Sequence, residues 1–143
     1  MNERVESNAA SSNAESTVDL RGAWRPETYL LKDGTRHPVD GLIFFTEKDW
    51  TVLFFVLEGN KPMHGSGEAG TYALRGNQIV FTHRYRLSVG GAVGALEEGP
   101  RMKVDAAADA LAEPCVAERS GDSLTIRFGP SGNAMTFRRS SGF

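Results

Sequence analysis

Gly41-Leu-Ile-Phe-Phe-Thr-Glu-Lys-Asp-Trp-Thr-Val-Leu-Phe-Phe-Val-Leu57 is the stretch that decides the fold. Two runs rich in β-branched and aromatic residues, Leu42 to Phe45 and Trp50 to Leu57, flank the polar turn Glu47-Lys48-Asp49, the mark of a β-hairpin. A strand with one face in water alternates apolar with polar residues, and these runs are apolar at consecutive positions. Both faces of the hairpin therefore need cover. Placing Ile43, Phe45, Thr51, Leu53 and Phe55 inside a small barrel turns Leu42, Phe44, Trp50, Val52 and Phe54 outward, as a stripe suited to a homodimer. Cover by a loop or helix of the same chain is the alternative, and periodicity leaves the reverse assignment of faces open.

Outward from this hairpin, similar runs recur at Gly22 to Lys32, Gly70 to Leu74, Ile79 to Leu87, Cys115 to Arg119, Leu124 to Phe128 and Met135 to Arg139. Asp33-Gly34-Thr35, Arg75-Gly76-Asn77, Ser120-Gly121-Asp122 and Gly129 to Asn133 punctuate them as hairpin turns. The expectation is an all-β fold of about eight antiparallel strands in an up-and-down meander, closed into a barrel so that no edge stays free. Glu58 to Glu68 reads as a long polar loop, and Ser88 to Ala112 as a non-β interruption. Within the latter, Asp105 to Glu113 has an Asp cap, strong helix formers and Pro114 as a stop, which predicts a short helix. The flexible, apolar Val89 to Ala95 beside it has the character of a lid, or of a surface insertion with no role.

The chain has 143 residues and a formal charge of −2 from 16 basic and 18 acidic side chains. That length supports one core, and the dispersed charge gives no footprint for nucleic acid or an anionic membrane. The single cysteine, Cys115, closes no intrachain disulfide. Residues 1–17 are polar and poor in apolar side chains, so they read as a disordered leader ahead of a barrel domain spanning 18–143. With no apolar signal segment in them, the expected location is the cytoplasm.

Ile79, Phe81, His83 and Tyr85 share one face of an alternating run and read as interior. His83 and Tyr85 then bring two polar tips into an apolar cavity, as ligand-orienting groups or as an acid/base pair; a buried, hydrogen-bonded pair without chemistry is the plainer alternative. Ile43, Phe45, Leu53, Phe55, Tyr72 and Phe81 complete the expected ligand lining. His37 and His64 are not spaced with His83 as metal ligands, so no metal and no cofactor is expected. There is no nucleophile elbow and no phosphate loop, and Glu27, Glu118 and Arg127 read as solvated charges.

Leu20-Arg-Gly22-Ala-Trp24-Arg25 resembles the Gly-x-Trp opening of the bacterial lipocalin-like domain proteins of the calycin group. Gly41 to Thr46 with its following strand, and Gly70-Thr-Tyr72 through Gly76 into a strand bearing a histidine, are similar again. The resemblance implies an eight-stranded barrel with a cavity, in which Trp24 closes one end against a basic residue of the last strand, Arg138 or Arg139. It also implies binding of a small hydrophobic or aromatic molecule. A cofactor-independent isomerase, cyclase or dehydratase of secondary metabolism using His83 and Tyr85 is the alternative within the same cavity. A structural or interaction module built on the outer stripe is the alternative outside it.

Overall fold

The computed structural model describes residues 17–142, so the expected leader lies outside the described residues except for Thr17. Nine strands follow one another: β1 Gly22–Leu30, β2 Arg36–Phe45, β3 Asp49–Glu58, β4 Lys61–Arg75, β5 Gln78–Gly90, β6 Arg101–Val104, β7 Leu111–Ser120, β8 Ser123–Phe128 and β9 Ala134–Arg139. Every pairing is antiparallel. β1 to β5, then β7, β8 and β9, pair in succession, and β9 returns to β1, so eight strands close a lipocalin-like barrel. The short β6 pairs with β5 alone. It occupies the same edge of β5 as β7, so β6 and β7 form one line of strand broken by the excursion Asp105 to Ala110.

The barrel base is closed by Trp24, which has no exposed surface. Its indole Nε1–H donates to the Leu20 carbonyl at 2.9 Å, and the Arg139 and Arg119 guanidinium carbons lie 4.1 and 5.2 Å from its ring centroids. Such cation–π contacts strengthen when desolvated. Gly22, beside the Arg139 guanidinium, sits at φ +116°, a backbone conformation that other residues rarely adopt. Arg138 points outward instead and pairs with Glu27 at the surface.

Four local expectations are corrected. Glu58 to Glu68 is a strand, not a loop: β4 starts at Lys61 and pairs along its whole length with β3 and β5. The expected helix at Asp105 to Glu113 is one 3₁₀ turn, Ala107–Asp109, because Leu111 onward pairs with β5 and ladder bonds override helix propensity. The interruption at Ser88 to Ala112 contains the end of β5, all of β6 and the first residues of β7. Finally, β3 shows the opposite face to the core from the one expected.

That last reversal follows from the hairpin register. Ile43 faces Val52 and Phe45 faces Trp50 across the β2–β3 ladder, and cross-strand partners share a face. With Ile43 and Phe45 buried, Trp50, Val52, Phe54 and Val56 are buried too. Thr51, Leu53 and Phe55 therefore lie outside, Leu53 at 54% exposure. Trp50, Val52 and Phe54 cannot be part of an outer stripe.

Tyr85 is corrected for a related reason. Gly70 of β4 pairs with His83 and Ala69 with Tyr85, leaving Arg84 as an extra residue with no partner on β4. This is a β-bulge, which shifts the alternation of faces by one. Ile79, Phe81 and His83 face inward before it; Tyr85, Leu87 and Val89 are exposed after it. The bulge is tied across the gap to the excursion, with Arg84 Nε donating to the Asp105 carbonyl at 2.7 Å and the Asp105 amide to the Arg84 carbonyl at 2.9 Å.

Candidate binding site

The barrel holds a cavity of about 260 Å³. Its apolar wall includes Ile43, Trp50, Val52, Phe54, Phe81, Met135 and Phe137, all buried core side chains. Its polar wall comes chiefly from β4 and β5: His64, Ser66 and Glu68 on the first, His83, Arg86 and Ser88 on the second, with Glu113 from β7. Arg86 and Ser88 reach the cavity because the bulge at Arg84 resets the alternation.

His83 is held between two carboxylates, Nδ1 at 3.1 Å from Glu68 Oε1 and Nε2 at 3.1 Å from Glu113 Oε1. Carboxylates accept only, so both ring nitrogens donate and the ring is an imidazolium. Burial works against that charge, but the hydrogen bonds to Glu113 and Glu68 and their negative charge outweigh it and raise the His83 pKa to about 9. Burial likewise opposes the Glu68 charge, yet the contacts from His83 and Arg86 leave its carboxyl below the ordinary value. Arg86 donates to Glu68 Oε1 through Nε and Nη2, each at 3.0 Å, and Ser66 Oγ donates to Oε2 at 3.3 Å.

The result is a cluster of two cations and two anions with no net charge, in which Glu68 is saturated with donors. Glu113 Oε2 and the Ser88 hydroxyl have no hydrogen-bond partner among the described residues. His64 Nδ1 donates to the Gly91 carbonyl at 2.9 Å, leaving its Nε2 without one. The indole N–H of Trp50, packed edge-on against His83 with centroids 5.1 Å apart, is buried without a partner.

The mouth is partly covered. Ala95, Leu96 and Glu97 lie over the cavity together with Phe128, Pro130 and Ser131 of the β8–β9 turn. Val93, buried in the same segment, closes it into a tight turn through the Leu96 amide at 2.9 Å. The Gly91 amide donates to the Met63 carbonyl at 2.8 Å, which fixes one end of the cover to β4.

Of the expected lining, Ile43, Phe81 and His83 face the cavity. Phe45 and Tyr72 are buried nearer the base, their rings edge to face at 5.2 Å. Leu53, Phe55 and Tyr85 are outside, so His83 and Tyr85 do not meet as a pair. Sequence reasoning missed Glu68, Arg86, Glu113 and the orientation of His64. The available signal was the spacing of His64, Ser66 and Glu68 at every second residue. Among the described residues no group of three or more His, Cys, Asp or Glu is placed to hold a metal ion.

A closed eight-stranded antiparallel barrel with a partly covered mouth and a Trp-plugged base is a lipocalin-like fold. No family model matches the chain, and no curated protein does. Among solved structures it is similar to a lipocalin-like protein from Bacteroides uniformis ATCC 8492, with a TM-score of 0.52 and 20% identity, covering 86% of this chain and 100% of that one. At that identity the likeness concerns the fold.

Proposed function

We propose that the protein binds a small, neutral, predominantly apolar molecule carrying one hydroxyl- or amide-like group. The observation that carries this reading is the barrel cavity, with aromatic and aliphatic side chains on one wall and a charge-balanced polar cluster on the other. Its volume lies just under the roughly 300–1,000 Å³ of drug-sized ligand sites, which sets the size class. Net neutrality of the cluster removes any reward for a charged ligand, because each buried charge already has its partner. The unpartnered acceptor on Glu113, the Ser88 hydroxyl and the His64 Nε2 supply directional contacts for the polar group.

Binding is favoured over catalysis by His83 because that imidazolium has no free lone pair to accept a proton and both its N–H groups are engaged by Glu68 and Glu113, not turned to a ligand. Uptake of 1-aminoanthracene, read by the rise in the dye's own fluorescence on direct excitation, tests the reading. Saturable uptake at one site per chain is expected, and Ser88→Trp, which fills the mouth, is expected to reduce its affinity at least tenfold. Absence of saturation, or equal uptake by the folded variant, would sink the proposal.

A further inference from the structure

The outer surface carries a second feature that the cavity does not explain. The strand registers align side chains into rows across β2 to β6: Leu42, Leu53, Gly67, Leu87 and Met102 are successive partners in one row. Phe55, Gly65 and Val89 form the next, and Phe44, Thr51, Ala69, Tyr85 and Val104 the one on the other side. Leu87 and Val89 are each 59% exposed and Met102 85%. A shallow depression on this face is lined by Asp40, Leu42, Phe44, Thr51, Leu53 and Phe55, and the Phe55 ring lies 3.1 Å from where a Gly65 Cβ would stand.

We propose that this face is the interface of a symmetric homodimer, with a second copy of the chain seated on it. Three observations select that occupant. The one charge in the three rows is Asp40, which pairs with Phe55 at the β2 end; the other positions from β3 to β6 are apolar, small or hydroxyl-bearing, so the face has little to attract a strongly charged partner and is complementary to another surface like itself. Tyr85, Leu87, Val89, Met102 and Val104 are each about half exposed or more, so the face leaves open more contiguous apolar surface than solitary proteins usually do. The rows end at β6, whose outer edge has no strand partner among the described residues, so no further strand of the chain extends over that side of the face.

The chain's own N-terminal residues do not fit the role. Met1 to Ser16 hold only Met1 and Val5 as apolar side chains larger than Ala, and the chain enters the fold at the far end, where the Val18 amide donates to the Gly76 carbonyl at 3.0 Å. Sedimentation velocity at micromolar concentration tests the proposal. The wild-type chain is expected to sediment as a dimer, and Leu53→Lys combined with Leu87→Lys as a monomer with an unchanged near-ultraviolet circular dichroism spectrum. Met102→Lys alone, at a side chain that contributes nothing to the core, is expected to weaken the dimer at least tenfold and guards against a folding defect in the double variant. A wild-type monomer, a dimer indifferent to Met102→Lys, or a monomer that instead binds phosphatidylcholine vesicles through Leu53 and Leu87 would each overturn it.

Discussion

At the scale of single residues, His83 is the group on which the polar wall depends. It faces Glu68, Glu113, the Trp50 ring and, through Glu68, Arg86. Because its folded pKa is raised to about 9 from 6.5, folding binds a proton across that interval. The stabilisation is complete below about pH 6.5 and is lost as pH rises to about 9, on the order of 2 kcal/mol after allowance for partial solvent access. Glu68 has the opposite sense: its contribution holds above its unfolded value and disappears as pH falls through its depressed folded one. Urea unfolding of wild type is therefore expected to show stability declining from neutral to alkaline pH. His83→Gln is expected to be less stable at pH 6 and nearly flat over the same range; a variant that keeps the wild-type slope would remove His83 as its origin. The histidine itself was legible in the sequence as an inward residue of an alternating run. Its partners were not, since Glu68 and Glu113 lie 15 and 30 residues away and meet it only through strand pairing.

At the scale of elements, the hairpin turns were legible and the strand that builds the polar wall was not. The first half of β4 reads as a loop because its inward residues, His64, Ser66 and Glu68, are polar while its outward ones, Gly65, Gly67 and Ala69, are small. The usual pattern is inverted by the site it serves. The bulge at Arg84 was equally hidden, as nothing in Thr82 to Arg86 marks an extra residue. Its signature lies across the ladder at Gly70, where a Cβ would stand 1.6 Å from the Thr82 carbonyl oxygen. Gly70→Ala is thus expected to cost about 2–3 kcal/mol by forcing backbone apart and to weaken 1-aminoanthracene uptake by displacing Glu68 and Arg86. Gly67→Ala, whose Cβ would meet nothing closer than 3.9 Å, is expected to be neutral or slightly stabilising. Thermal melts of the two variants side by side decide whether close approach, and not the loss of glycine as such, is what matters.

At the scale of the whole molecule, the barrel is one closed cooperative unit, plugged at the base by Trp24 and partly covered at the mouth by residues 91–99. The base was legible through the resemblance carried by Gly22-x-Trp24, with the partner left between Arg138 and Arg139; Arg119, which also reaches the ring, was not, because it comes from β7 with no local sign of its destination. Trp24→Ala is expected to cost about 3–5 kcal/mol and to lower the urea midpoint in a single transition, since the plug joins the N-terminal segment, β7 and β9. A two-step transition would mean that the base melts independently of the cavity. The bulge has one more consequence, which concerns how the gene can change length. Arg84 is the one β5 residue between Gln78 and Gly90 that faces no residue of β4; a chain lacking it would still present His83, Arg86 and Ser88 to the interior. Loss of Thr82 or Leu87 would instead turn part of the polar wall toward solvent. A one-residue deletion at Arg84 is therefore expected to keep the cavity lining at the loss of the tie to Asp105, whereas one on either side of it is expected to rotate the lining outward.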